Sequence, residues 1–174
     1  MKLLLTKDEI ATTVERLARA ISHDYQHDSQ PLMLGVLSGA FIFMADLLRQ
    51  MTIDVDVAFV KASSYVGTQS SGTVDIDYAL VRSLSGVPVI LVDDILDSGL
   101  TTSALYDRLQ PEAQSISLAC LLRKPKAVTL TRTWRRVYIG HDIPSEFVYG
   151  YGMDLHDRER RHGAVYVIRD DRGV

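Results

Sequence analysis

The sequence predicts an α/β protein whose largely parallel sheet is covered by helices on both faces. Short apolar runs alternate along the chain with segments whose apolar residues recur at helical spacing. The strongest run, Val87 to Val92, is β-branched and uninterrupted after Pro88. In such sheets ligands bind beyond the carboxyl ends of the strands, so we expect functional residues in the loops that follow strands.

The helices are predicted from their ends and their apolar spacing. Thr6 and Glu9 have the spacing of a capping box, and the first helix should continue to about Tyr25. Pro111 should end the third helix. The apolar residues that define the three helices run from Ile10 to Ile21, from Phe41 to Leu48 and from Ala104 to Leu109.

The predicted strands are the apolar runs between these helices and after them. They cover residues 32–37, 53–60, 76–81, 87–92, 116–122, 137–139, 147–149 and 165–168. Between residues 62 and 74 the pattern changes to Ser, Thr, Gly and Gln, which predicts a long flexible loop.

Composition excludes several classes of protein. The 174 residues suit one domain over 1–174, and the formal net charge of −3 does not suit a general nucleic-acid binder. The one cysteine, Cys120, rules out an internal disulfide and a metal site built on cysteines. The most apolar segment, Leu32 to Leu48, falls short of the roughly 20 apolar residues of a membrane span. We therefore expect a soluble, cytoplasmic protein.

Three carboxylates, Asp93, Asp94 and Asp97, come directly after the strongest predicted strand. Acids this close raise one another's pKa unless a cation or a hydroxyl-rich ligand lies between them. The next residues begin a helix with Ser98, Gly99 and two threonines, and free amides at the positive end of a helix suit a phosphate group. The segment therefore predicts a sugar-phosphate site. The alternatives are a serine-capped acidic loop and a response-regulator pocket, although in the latter the acids follow the first strand.

The segment from Val89 to Thr102 resembles the signature of type I phosphoribosyltransferases that binds 5-phosphoribosyl diphosphate (PRPP). The rest of the chain resembles the hypoxanthine-guanine branch of that family, and four further segments carry the likeness: Leu37 to Phe41, Ser63 to Tyr65, Leu122 to Pro125 and Ile143 to Asp154. The resemblance implies the family's fold, which is a mostly parallel central sheet flanked by helices. A small hood would be built from the terminal segments, at about 1–15 and 140–174.

The resemblance also implies an activity. The protein would transfer the phosphoribosyl group of PRPP to N9 of hypoxanthine or guanine, giving IMP or GMP and pyrophosphate. It implies Mg²⁺ as cofactor, with two ions in the closed complex, and a homodimer or homotetramer without membrane or nucleic-acid partners. Two alternatives stay open: a transferase that prefers xanthine, and a PRPP- or nucleotide-sensing regulator of the same fold that binds RNA or DNA.

The family's functional residues match positions of this sequence. The 5′-phosphate and ribose would contact Asp93, Asp94, Asp97, Ser98, Gly99, Leu100, Thr101 and Thr102. Pyrophosphate would contact Leu37, Ser38 and Gly39, where the family has a cis peptide bond, together with Ser64, Tyr65 and Arg160. The purine base would contact Lys124, Phe147, Val148 and Asp154, and Mg²⁺ would contact Asp93, Asp94 and Asp154.

Among these residues the resemblance gives three distinct roles in the base site. Asp97 would be the catalytic residue that exchanges a proton at N7, Lys124 would donate to O6, and Phe147 would stack on the ring. The chain departs from relatives that have Lys or Arg at Ser38 and Glu at Asp93.

A basic stretch is not accounted for by the resemblance. Between Ala113 and His141 there is no Asp or Glu, whereas arginines and lysines recur from Arg123 to Arg136. This stretch could be a solvated face or a subunit contact, and the alternatives are electrostatic steering of PRPP or contact with RNA.

Overall fold

The computed structural model describes residues 2–28, 30–63, 75–77, 83–126 and 130–168. Its three helices within those ranges are α1 (Lys7–Tyr25), α2 (Phe41–Gln50) and α3 (Leu100–Leu109). Its strands there are β1 (Lys2–Leu5), β2 (Leu32–Leu37), β3 (Asp56–Ser63), β4 (Asp75–Asp77), β5 (Pro88–Leu96), β6 (Ser115–Arg123), β7 (Val137–Asp142), β8 (Val148–Tyr149) and β9 (Val165–Val167).

The main sheet has the strand order β4-β3-β2-β5-β6-β7 within the described residues. Five of these strands run parallel to one another: β3, β2, β5, β6 and β7. The edge strand β4 pairs antiparallel with β3. From β2 the chain continues to one side of the sheet, and from β5 it continues to the other. The strand order therefore reverses between β2 and β5, and a crevice at their carboxyl ends is the position where this class of sheet binds ligands.

The sheet is covered on both faces, as the sequence predicts. Alternate residues of each central strand point to opposite sides, so that Ile90 packs with α1 and α2 whereas Leu91 packs with α3. Helix α1 contributes a mostly apolar buried face from Ile10 to Tyr25, and α3 contributes Leu105 and Leu109. These two cores hold the carboxyl ends of the central strands in place.

The terminal segments form a second, smaller sheet with the order β1-β9-β8, in which the strands are antiparallel. This sheet agrees with the small hood expected from the terminal segments, while its boundaries and the single domain over 1–174 stay predictions. No helix among the described residues is long and apolar enough to cross a membrane.

Most predicted elements are confirmed, but β1 was not predicted, β3 begins and ends three residues later than expected, and β5 is longer than expected. The capping box is present at the start of α1, where the Thr6 hydroxyl accepts from the Glu9 amide. Strand β5 was expected to end at Val92 but continues to Leu96, because its backbone pairing with β6 extends as far as Leu96 and Arg123. Of the loop predicted at 62–74, residues 62 and 63 belong instead to β3, and residues 64–74 lie outside the described residues. Of the strand predicted at 76–81, residues 76 and 77 belong to β4, and residues 78–81 lie outside the described residues.

Candidate active site

Two functional side chains meet because β5 and β6 end side by side. The register pairs Leu96 with Arg123, which are the last residues of the two strands. The residues that follow them, Asp97 and Lys124, therefore lie at the same edge of the sheet. The Lys124 ammonium donates to Oδ2 of Asp97 at 2.6 Å, and only 12% of the lysine side chain is exposed. The proposed proton-exchanging acid and the proposed O6 donor are therefore in direct contact.

Asp93 and Asp94 lie inside β5 rather than after it, which corrects the expectation of an acidic turn following the strand. Asp93 is 8% exposed, and burial together with the charge of Asp94 holds the pKa of its carboxyl well above the ordinary range. Burial also raises the pKa of Asp94, although its hydrogen bonds, including one from the Ile95 amide, partly oppose the rise. A cation or a hydroxyl donor beside this pair would relieve the cost of its charge.

Replacing Asp93 with asparagine is expected to stabilise the metal-free protein at neutral pH. The amide removes a buried charge but keeps the oxygen that accepts from the Asp94 amide at 3.0 Å. Because folding raises the pKa of Asp93, its carboxyl reduces the free energy of unfolding only above about pH 3.8, the ordinary value. The stability gained by the variant should therefore grow from that pH up to the raised pKa and then stay constant.

Urea denaturation of both proteins in metal-free buffer, repeated from acid to neutral pH, measures this difference. A variant less stable than wild type at neutral pH would show that the Asp93 charge is well compensated in the free protein.

The loop after β2 approaches the acidic pair closely. The peptide bond between Leu37 and Ser38 is cis, as the resemblance implies for this loop. A methyl group placed on Gly39 would overlap the Asp94 carboxylate. The backbone of Gly39 can therefore lie against Asp94 only because residue 39 has no side chain.

Replacing Gly39 with alanine should weaken PRPP binding by at least about 10-fold, because the added methyl must displace the Asp94 carboxylate. Replacing Gly86 with alanine is the control for adding a methyl group: nothing lies within 4 Å of the added methyl, although residue 86, unlike residue 39, has a positive φ of 73°. This control should lower stability through backbone strain alone and leave PRPP affinity unchanged. Thermal denaturation and calorimetric titration with PRPP separate the two effects, and equal PRPP affinities in both variants would contradict the assignment.

The start of α3 has the geometry of a phosphate site. Gly99 is the N-cap residue with a φ of 81°, a left-handed conformation that favours glycine, and the first intrahelical bond runs from the Ser103 amide to its carbonyl. The amides that precede Ser103 have no carbonyl one turn earlier to receive them. One of them, the Leu100 amide, donates to the Ser98 hydroxyl at 3.3 Å. A cavity of about 70 Å³ lies at this helix start, and its lining residues are Asp93, Ile95, Leu96, Asp97, Ser98, Gly99, Leu100, Thr101 and Thr102. Thr102 is buried, and its hydroxyl donates to the Gly99 carbonyl at 3.1 Å.

A second cavity of about 170 Å³ lies next to the first and contains every residue predicted to contact the base. Its lining residues are Asp94, Ile95, Asp97, Lys124, Phe147, Val148, Met153 and Asp154. The Phe147 side chain stays 58% exposed, so its ring is accessible to a ligand. A separate cavity of about 500 Å³ between α1, α2 and the C-terminal segment contains none of the predicted residues.

In the second cavity, sequence reasoning missed two lining residues, Ile95 and Met153. Each is an apolar residue beside predicted acids, and their nearness to Asp94 and Asp154 along the chain was the signal that could have identified them. The predicted pyrophosphate residues Ser64 and Tyr65 lie outside the described residues.

Arg160 lies beside this second cavity, which we call the base cavity after its predicted ligand. It pairs with Asp154, one of the acids that line the cavity. Its guanidinium contacts Oδ1 of Asp154 at 3.0 Å and donates to the carbonyl of Gly152 at 2.8 Å. Because the side chain of Arg160 is still 26% exposed, it remains accessible to an anionic ligand.

The basic stretch is largely engaged in ion pairs with other parts of the chain. Its four arginines, Arg123, Arg132, Arg135 and Arg136, pair with Asp142, Asp107, Asp28 and Asp24 respectively. Trp134 packs edge-to-face on Tyr106, with ring centroids 4.8 Å apart. These contacts support a structural role for the stretch rather than a role in RNA binding.

The carboxylates fit a magnesium ion that is shared with a ligand. Among the described residues, no three His, Cys, Asp or Glu side chains come close enough to hold a metal ion by themselves. Mg²⁺ is commonly bound by one or two carboxylates together with substrate phosphates. Three carboxylates are of this kind: Asp93, which lines the first cavity, and Asp94 and Asp154, which line the base cavity.

Comparison with known proteins identifies the family. The family model described as phosphoribosyl transferase domain matches residues 3–154. The hypoxanthine-guanine phosphoribosyltransferase of Aquifex aeolicus is 37% identical, and the match covers 98% of this chain and 96% of that protein. The enzyme of the same name from Mycobacterium tuberculosis is 39% identical over 90% of this chain and 80% of its own length.

The structures agree with the sequences. A crystal structure of a Bacillus anthracis hypoxanthine-guanine phosphoribosyltransferase superposes with a TM-score of 0.88 at 32% identity, covering 97% of this chain and 99% of that one. This likeness confirms the expected fold class, the type I phosphoribosyltransferase fold. Since the family model covers most of the sequence and these relatives match nearly its full length, the chain belongs to the phosphoribosyltransferase family.

Proposed function

We propose that the protein transfers the 5-phosphoribosyl group of PRPP to N9 of hypoxanthine or guanine, releasing pyrophosphate and forming IMP or GMP in purine salvage. The observation that carries this proposal is the union of a phosphate site at α3 with an adjacent cavity that contains Lys124 and Phe147. Relatives that match nearly the whole chain are hypoxanthine-guanine phosphoribosyltransferases, which supports the same substrates.

The base site suits a 6-oxopurine. Lys124 has three donors and no acceptor, so one can remain on Asp97 while another reaches the O6 carbonyl. Phe147 stacks on the ring, and Val148 offers its backbone to the ring edge. The side chain of Asp97 lies between the base cavity and the phosphate site, where it can exchange a proton at N7 as N9 forms its new bond.

The phosphoribosyl group is oriented by the neighbouring cavity. The 5′-phosphate binds the amides and hydroxyls from Ser98 to Thr102, and Asp93 and Asp94 accept from the ribose hydroxyls. Breaking the bond at C1′ creates positive charge on the ribose, which these buried carboxylates stabilise. Pyrophosphate leaves beside the backbone of Leu37 to Gly39 and Arg160, and Ser64 and Tyr65 are assigned to it by resemblance.

Mg²⁺ is the cofactor that we assign, at Asp93 and Asp94 and at Asp154, with two ions in the closed complex. It supplies charge neutralisation for pyrophosphate without a proton transfer. The protein's own contribution is to hold these carboxylates in fixed positions around the two cavities.

We also propose that the protein forms a homodimer or homotetramer in the cytoplasm and has no nucleic-acid partner. Four apolar residues on α2 and on the face of β2 and β3 that α2 covers remain 37% to 45% exposed: Leu37, Phe41, Val57 and Phe59. Burial of such a surface against a second copy would remove it from water.

The decisive experiment measures pyrophosphate release from PRPP and Mg²⁺ with hypoxanthine, guanine, xanthine and adenine in turn, with nucleotide formation as a second readout. We expect turnover with hypoxanthine and guanine. Faster turnover with xanthine would favour the xanthine-preferring transferase. RNA binding at matched salt without turnover of any base would favour the regulatory protein.

A further inference from the structure

The turn that precedes Asp154 has an unusual backbone. Gly150, Tyr151 and Gly152 are three consecutive residues with positive φ, at 95°, 50° and 96°. A positive φ is accessible to glycine, but for a bulky residue such as tyrosine it costs conformational energy that surrounding contacts must offset. The contacts of Tyr151 therefore decide whether this turn keeps its shape.

Tyr151 is held by helix α2. Its side chain is 5% exposed, and its hydroxyl donates to Oδ2 of Asp46 at 2.5 Å, joining residues that are 105 positions apart. The other carboxylate oxygen of Asp46 pairs with Arg49, whose side chain is 73% exposed. The tyrosine backbone is held as well, since its amide donates to the carbonyl of His162 at 2.8 Å.

The segment Gly150–Gly152 also contacts the proposed pyrophosphate site. Gly152 lies against the carbonyl of Gly39, so closely that a side chain on residue 152 would overlap it. The carbonyl of Gly152 accepts from Arg160, and the same guanidinium contacts Asp154. The position of Gly152 therefore affects the positions of both the loop after β2 and the Arg160–Asp154 ion pair.

We propose that Asp46 and Tyr151 form a positioning pair that fixes the Gly150–Gly152 turn and so aligns the Gly39 loop and Arg160 for the pyrophosphate moiety of PRPP. This inference rests on the proposed function and extends it to two residues outside both ligand cavities. The pair should act mainly on PRPP and pyrophosphate, because Gly152 lies directly against the Gly39 carbonyl and its own carbonyl accepts from Arg160.

The test compares Tyr151→Phe with wild type. The variant keeps the buried ring and removes only the hydroxyl, and it should raise the Kd for PRPP and Mg²⁺, measured by calorimetry, by about 10-fold. The KM for PRPP, and that for pyrophosphate in the reverse direction, should rise similarly. The KM for hypoxanthine should stay within about twofold of the wild-type value.

Tyr25→Phe is the matched control. Its hydroxyl is also buried and donates to Ser117 Oγ at 2.6 Å, but it lies between α1 and β6, away from the turn. It should lower the melting temperature without changing any KM. Arg49→Ala, which removes only the exposed ion pair of Asp46, should also leave the kinetic constants unchanged.

Asp46 tests the same contact from the other side. Asp46→Asn keeps an acceptor for the Tyr151 hydroxyl and should bind PRPP nearly as wild type does, whereas Asp46→Ala should match Tyr151→Phe. The double variant of Asp46→Ala with Tyr151→Phe should be no worse than either single variant, since both remove one contact.

Two results would overturn the proposal: unchanged PRPP affinity in Tyr151→Phe, or an equal loss of affinity in Tyr25→Phe. If wild-type protein binds PRPP but forms no nucleotide, the proposed function fails, and the affinity comparison still decides the role of the pair. Wild-type protein that does not bind PRPP would overturn both.

Discussion

The wild-type protein is expected to reject adenine in favour of hypoxanthine by about 10⁴–10⁵-fold in kcat/KM. Lys124 has only donors, and its side chain is 12% exposed in contact with Asp97. Adenine would place an amino group, another donor, where hypoxanthine and guanine have a carbonyl. The donors then stay unpaired beside a largely buried ammonium group, which costs about 1–3 kcal/mol or more for charged groups.

Lys124→Ala tests the residue directly. Steady-state kinetics should show hypoxanthine kcat/KM reduced by about 10²-fold, with a smaller change in PRPP affinity. Lys126→Ala, which removes an exposed lysine two positions away, should leave both constants unchanged. Comparable use of adenine and hypoxanthine by the wild type would show that the base site is wrongly assigned, even with the PRPP site intact.

Asp97→Asn is expected to lower kcat by about 10²–10⁴-fold, the usual contribution of a positioned acid or base. The amide oxygen can still accept from Lys124, which now donates to Oδ2 at 2.6 Å, so the base cavity keeps its shape. What is lost is the group that exchanges a proton at N7. PRPP affinity should change little, since asparagine keeps the size of the side chain where residue 97 lines the phosphate cavity, and the amides and hydroxyls from Ser98 to Thr102 are unchanged.

Asp107→Asn provides the control, because this aspartate lies on α3, pairs with Arg132 and lines neither ligand cavity. Single-turnover measurements with both variants separate chemistry from product release. A turnover by Asp97→Asn close to wild type would remove Asp97 from the mechanism.

The elements that the sequence predicted correctly are those whose ends depend on residues close together in the chain. The capping box of Thr6 and Glu9 and the helical spacing that follows lie within one segment, and α1 begins and ends where they indicate. The same holds for Gly99, which precedes α3 as its N-cap residue, as the local sequence predicts. Strand β5 was predicted too short, because its last four residues are held by backbone pairing with β6, which does not depend on side-chain pattern.

Neighbouring residues and their periodicity were enough to predict the fold class and most of the residues that line the two cavities. Which of these residues are in contact follows from the packing and pairing of separate elements. The contact of Asp97 with Lys124 depends on the β5–β6 register, and that of Asp46 with Tyr151 joins α2 to a turn 105 residues away. Such contacts depend on how separate elements pack and pair, because a shift of one residue in register would move every side chain to the opposite face.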